Sequence, residues 1–269
     1  MPELPDVAGF EQVLRGSALD KPITAVQVRD KRILKQIKPD GFSQAIGKQR
    51  FVDTHRHGKL LFALLEKGGA IAFHFGMTGQ LVAYSAGEEV PDHTRVLFRL
   101  SDDTELACVC RRMLGWVSLA DDVDQFVADS KLGPDALDER LDDETFRQRL
   151  SRRRGVLKST LMNQQVVAGV GNVWADEVLF QARLHPQTRV QALSAEALSR
   201  LRRTMRRVLQ VGARHGRDPA GLAKGYLLPY RSKGACPVCG GEIETISVSG
   251  RSTYYCPRCQ QESSSAAAA

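Results

Sequence analysis

The stretch CPVCGGEIETISVSGRSTYYCPRC constrains the fold of this chain more than any other. Its two Cys-x-x-Cys pairs, Cys236/Cys239 and Cys256/Cys259, each put two thiols on one tight turn. Between them, EIETISV and STYY carry the β-branched and aromatic residues of strands, with Ser249 and Gly250 suited to a hairpin turn. Folding that hairpin brings the turns together into a tetrahedral four-thiolate site, the spacing of a zinc ribbon. So short a segment holds no core without the metal, so one structural Zn2+ per chain is expected, with binding and folding a single equilibrium. Arg251 stands at the hairpin tip and reads either as a phosphate or groove reader or as a solvated arginine. Cys108 and Cys110 lie two apart on a predicted strand and read as small core residues. The closing QESSSAAAA is low in complexity and expected to be disordered.

Thiolate ligands rather than disulfides presuppose a reducing compartment. That fits a chain with no apolar run of membrane-spanning length and no signal-peptide pattern, so a cytoplasmic location and no membrane partner are expected. With 42% hydrophobic and 26% charged residues over 269, the chain can bury a sizeable core and is not a disordered polymer. Its net charge of +7 is compatible with a polyanionic partner, and its distribution says more. Acidic residues crowd SDDTEL, ADDVDQ and LDDET, whereas RLSRRRGVLK and LSRLRRTMRRVLQVGARHGR hold arginines, so the positive field is local.

The first part of the chain reads as strands. ITAVQVRDKRIL, RFVDTHRH, KLLFALLE, AIAFHFGM, GQLVAYS, RVLFRLSD, TELACVC and GWVSLAD are short and separated by turn residues, which predicts an antiparallel β-sandwich. One helix precedes them: in LPDVAGFEQVLRG, Val7, Phe10, Val13 and Leu14 form an apolar stripe, Pro5 fits the first turn and Gly16 closes the helix. Pro2 and Glu3 then project from the start of a packed helix rather than fray. The middle reads as helices, in DETFRQRLSRR, LKSTLMNQQVVAG, NVWADEVLFQARL and SAEALSRLRRTMRRVLQVGARHG. Between the second and third, VAGVGN allows a tight glycine turn, with Asn172 where an N-cap belongs. Free amides at such a helix start form either an anion site or an ordinary helical hairpin.

MPELPDV, HRHGKLL, HFGMTGQL, LMNQQVVAGVGNVWADEVLFQARLHP and the ribbon with GRSTYYCPRCQ together resemble the formamidopyrimidine-DNA glycosylase and endonuclease VIII family, closer to the first branch. The resemblance runs nearly end to end and implies an α+β chain: an N-terminal helix and β-sandwich over 1–125, a helix-two-turn-helix domain over 126–230, a zinc-finger hairpin over 231–262 and a tail over 263–269. It also implies a bifunctional DNA glycosylase and abasic-site lyase of bacterial base excision repair, monomeric, bound to damaged double-stranded DNA in the nucleoid and using no nucleotide cofactor. Removal of Met1 would expose Pro2 as a secondary amine, of α-amino pKa roughly 7.7–8.0, able to attack C1′ of the damaged nucleotide. Glu3 would move protons, and Lys59 and Arg251 would complete the catalytic set. Asn172, His93, Arg153 and Lys158 would contact the DNA backbone, Arg111 would face the orphaned base, and Met77 would fill the gap in the stack.

Three departures mark this chain. VCRRML stands where the branch has Asp-Pro-Arg-Arg-Phe-Gly, which puts Met113 in the place of a stacking aromatic. Asp6 replaces a glutamate, and the segment between Gly216 and Cys239 is shorter than the branch's lesion-capping stretch. The preferred lesion and opposite base stay open, and a damage-binding protein without excision remains the alternative reading, ahead of a plain zinc-ribbon adaptor.

Overall fold

The computed structural model describes residues 1–215, 221–222, 224–231 and 234–261. The chain divides into two compact units: Met1–Pro2 with Asp6–Lys131, and Glu3–Pro5 with Leu132–Ala269. The boundary expected at residue 125 falls inside a helix of the first unit, and the expected tail over 263–269 lies outside the described residues.

All eight expected strands are present in the first unit: β1 (Ile23–Val28), β2 (Phe51–His57), β3 (Leu60–Leu65), β4 (Ala70–His74), β5 (Gly79–Ser85), β6 (Thr94–Leu100), β7 (Thr104–Cys110) and β8 (Trp116–Ala120). They form two four-stranded antiparallel sheets, ordered β1-β6-β7-β5 and β2-β3-β4-β8. One core joins them: Phe51, Leu61, Ala63 and Phe73 from one sheet and Val96, Phe98, Leu106 and Cys108 from the other. The Phe98 ring meets those of Phe42, Phe51 and Phe73 at 5.7–6.5 Å. Helix α1 (Leu4–Ser17) adds Val7, Phe10 and Leu14 to that core, and runs through Gly16 rather than ending there. Cys108 and Cys110 are buried among the same residues, and burial pushes the Cys108 thiol up to about 12, so it is an inert core group. Two short helices carried no signal in the sequence. Helix α2 (Pro39–Ile46) buries Phe42 and Ile46, and α3 (Val123–Asp129) is capped by Asp122, whose carboxylate accepts from the Gln125 amide.

The second unit holds α4 (Asp143–Ser151), α5 (Leu157–Leu161), α6 (Asn172–Ala182), α7 (Ala195–His215) and the hairpin β9 (Glu244–Val248)–β10 (Arg251–Tyr255). Its core gathers Leu4, Phe146, Leu157, Leu161, Trp174, Val178, Leu201, Met205 and Val208. The helix expected through LKSTLMNQQVVAG stops after Leu161. Asn163 and Gln164 end it by turning their amides onto the backbone, Asn163 Oδ1 accepting from Gln165 N and Gln164 bridging Gly169 N to the Val170 carbonyl. The hairpin turns through Ser249 and Gly250, both at positive φ, as a two-residue turn of this hand requires. Among the described residues no helix is long and apolar enough to cross a membrane.

Candidate active site and metal centre

The start of the chain is held. Pro2 and Glu3 are buried while Met1 is exposed. Leu4 N donates to the Gly169 carbonyl at 3.1 Å, and Glu3, only 2% exposed, accepts from Val173 N (2.8 Å, Oε1) and Trp174 N (3.1 Å, Oε2). Those amides open α6, so the carboxylate sits at the positive end of the helix dipole. The expectation of Asn172 as N-cap is therefore corrected. Gly171 occupies the cap position without a side-chain bond, Asn172 is the first helical residue, and the capping acceptor comes from Glu3. Both glycines of the turn make room for the terminus. Gly169 lies at φ +112°, and a Cβ on Gly171 would stand 2.1 Å from Glu3 Cδ.

Asn172 and Arg251 are brought together, since Asn172 Nδ2 donates to the carbonyl of Ser252, which follows Arg251 on β10 (3.1 Å). Arg251 is exposed at the hairpin tip. Lys158 requires correction. It is wholly buried, its ammonium 2.7 Å from Asp176 and bonded to Thr253, so it is an internal ion-pair partner rather than a surface phosphate contact. Burial pulls its ammonium down, and the Asp176 carboxylate opposes that shift. Arg153 is half-buried and lines a cavity of about 260 Å³ with Arg149, Arg152 and Gln165, whose lining includes neither Asn172 nor Arg251.

In the first unit Lys59 is half-buried in the β2–β3 turn, after Gly58 at φ +59°. His74 stacks on Trp116, and its imidazole pKa is lowered by burial and then by the charges of Lys59 and Lys35. Met77 is 41% exposed in the β4–β5 turn. A Cβ on Gly76 would lie 2.3 Å from the backbone of Leu114, and Arg112 N donates to Thr78 Oγ1, so this turn and the 111–115 loop are stapled together. In that loop Met113 packs against the core, and Leu114, 50% exposed, is the apolar side chain presented beside Met77's turn. The two arginines of VCRRML put Met113 in the aromatic's place, whereas counting back from Gly115 puts Leu114 there. Arg111 is exposed on the same loop, and His93, exposed at φ +61°, is tied to the end of β7 just before that loop, its carbonyl accepting from Cys110 N.

The four ribbon thiols converge, with all Sγ atoms within 4.8 Å of one another and two pairs at 3.5 and 3.8 Å. A tetrahedron of Zn–S bonds of about 2.3 Å has sulfurs roughly 3.8 Å apart, so the residues fit a structural zinc. Gln260, 1% exposed, ties the site down: its Oε1 accepts from Cys256 N and its Nε2 donates to the Leu184 carbonyl.

Three family models match in this order: the formamidopyrimidine-DNA glycosylase N-terminal domain at residues 1–117, the formamidopyrimidine-DNA glycosylase H2TH domain at 132–221, and the zinc finger found in FPG and IleRS at 235–261. A formamidopyrimidine-DNA glycosylase of Pelotomaculum thermopropionicum is 34% identical, over 97% of this chain and 99% of its own. The chain belongs to the formamidopyrimidine-DNA glycosylase family. A further formamidopyrimidine-DNA glycosylase, from Synechococcus elongatus, is 34% identical over 98% of this chain and 99% of its own. The Lactococcus lactis enzyme bound non-covalently to DNA containing an abasic site superposes with a TM-score of 0.88 at 25% identity, over 97% of this chain and 100% of its own. The family's ordering of sandwich, helical domain and zinc finger is thus present throughout.

Proposed function

We propose that this DNA glycosylase of base excision repair removes an oxidised or ring-opened base through a covalent intermediate at Pro2 and then cuts the strand. The observation that carries the reading is Glu3, a carboxylate fixed by two amides next to Pro2 in the chain. With Met1 removed, the Pro2 nitrogen attacks C1′ as the glycosidic bond breaks and the base leaves with its electron pair and a proton. Glu3 carries the proton that lets the sugar ring open, which leaves an iminium between Pro2 and C1′. Loss of a C2′ proton into that electron sink expels the 3′ phosphate, and a second elimination expels the 5′ phosphate. Hydrolysis of the iminium returns the free amine.

Lys59, Arg251 and Asn172 hold phosphates beside the everted nucleotide, and His93 and Arg153 add backbone contacts. Met77 and Leu114 fill the vacated stack, and Arg111 meets the orphaned base. An aliphatic Leu114 supplies no aromatic face, so discrimination at the opposite base rests on hydrogen bonds from the arginine. Borohydride trapping tests this on end-labelled duplexes carrying an abasic site, 8-oxoguanine or dihydrouracil, with protein of verified Pro2 terminus. A trapped adduct is expected, and the order of substrates ranks the lesions. Binding without any adduct would identify the chain as a damage-binding protein that has lost excision.

A further inference from the structure

The second unit contains a buried charge cluster that the proposed chemistry leaves unused. Lys158 on α5 and Asp176 on α6 have no exposed side-chain surface and lie 2.7 Å apart. The other Asp176 oxygen accepts from Arg231 (3.0 Å) and from the backbone amide of Tyr254 (3.1 Å). Lys158 Nζ donates to Thr253 Oγ1 (2.7 Å) and to the Ser252 carbonyl (3.2 Å), and the Arg231 guanidinium lies 4.3 Å over the Tyr254 ring. Three successive residues of β10, directly after Arg251, are therefore fastened to the cluster. The Ser252 carbonyl is shared with Asn172 Nδ2, while Asn172 Oδ1 is buried without a hydrogen bond, so the Asn172 side chain takes its orientation from β10.

Stability does not account for such a cluster, because the wholly buried Lys158–Asp176 pair, with the partly exposed Arg231 beside it, costs desolvation that apolar residues of equal volume would avoid. Position does. Zinc fixes the hairpin at Cys256, but Arg251 stands five residues up the strand, roughly 17 Å away. A two-stranded hairpin is marginal by itself, so a small error of angle at the metal becomes a large displacement at the tip. We infer that Asp176 is a positioning residue that, with Lys158, sets β10 against α6 so that Arg251 and Asn172 close on phosphate as one clamp. This rests on the reading of those two residues as phosphate contacts.

The test is a double-mutant cycle in the full-length, zinc-loaded protein, with affinity read by fluorescence anisotropy on a duplex carrying a tetrahydrofuran abasic analogue at fixed salt. Arg251→Ala and Asp176→Asn are each expected to weaken binding about tenfold, and the pair also about tenfold, with one zinc per chain retained throughout. A hundredfold loss in the pair would mean that Asp176 does not act through the hairpin tip, and would overturn the inference. No loss from Arg251→Ala would overturn the phosphate reading and the inference with it. Thr253→Val keeps the charges and the strand while removing the hydroxyl that accepts from Lys158 Nζ and donates to the Arg251 carbonyl. It is expected to cost about threefold, and nothing further in the Arg251→Ala background; a persisting threefold loss there counts against the inference. Should Asp176→Asn not yield folded protein, Thr253→Val carries the test alone.

Discussion

Gly171 leaves no space for a methyl group, because Glu3 Cδ would be 2.1 Å from it. Gly171→Ala is therefore expected to push the carboxylate off the α6 amides, cutting strand cleavage of an abasic duplex more than tenfold while binding changes less than threefold. Cleavage near the native rate would show that Glu3 need not sit at the helix start. Glu177 provides a pH signature. Buried at 1% exposure and accepting from Leu227 N and Leu228 N, it is raised by desolvation from an ordinary 4.5 to about 6. The folded state then holds more protons than the unfolded one between those values, so its contribution falls as pH rises through that window, by about 2 kcal/mol. Urea titrations of the native protein and Glu177→Gln from pH 4.5 to 7 should diverge by that amount; parallel curves would refute it. At this scale the sequence spoke clearly where chemistry demands a residue type, as at the four zinc cysteines, and poorly where a partner lies far along the chain. Nothing near Asn172 announces that its helix is capped by Glu3, and nothing in VLKSTLM distinguishes a buried lysine from a solvated one.

Among the elements, α7 packs against α6 so closely that Gly212 faces the Trp174 ring, with an ideal Cβ 2.3 Å from its Cη2 atom. Neither a rigid indole nor a helix backbone yields cheaply, so Gly212→Ala is expected to destabilise the second unit by about 1–3 kcal/mol, despite alanine's better helix propensity. Thermal unfolding followed at the helical circular-dichroism band would show it, and an unchanged midpoint would mean the contact relaxes freely. The eight strands were legible because each is short, rich in strand-forming residues and set off from the next by turn residues. Helix α2 was not, since eight residues containing Pro39 and Gly41 carry too little periodicity to stand out. The truncated α5 fails in the opposite sense: the apolar spacing continues past Leu161, but Asn163 and Gln164 compete for the backbone.

For the molecule as a whole, the proposed function assigns binding to the zinc finger and the cationic residues. Chelating the metal under reducing conditions is expected to abolish binding to a damaged duplex with little change in far-ultraviolet dichroism, and added Zn2+ should restore it. Undiminished affinity in the metal-free protein would detach the hairpin from DNA recognition. If Lys59, Arg153 and Arg251 each neutralise a phosphate, affinity should fall roughly 40-fold between 50 and 200 mM salt. A change under about fourfold would leave room for at most one such contact. The order of the parts was readable from the motifs, whereas the division after Lys131, and the assignment of Glu3–Pro5 to the unit that resumes at Leu132, were not.

That assignment bears on synthesis. Glu3 is made 170 residues before the amide of Val173 that it caps. At about 5–20 residues per second, roughly ten to thirty seconds pass on the ribosome before its seat exists. A nascent or prematurely terminated chain carries Pro2 with an unseated proton carrier, so on the proposed mechanism the ability to cut DNA is withheld from every product that stops short of α6.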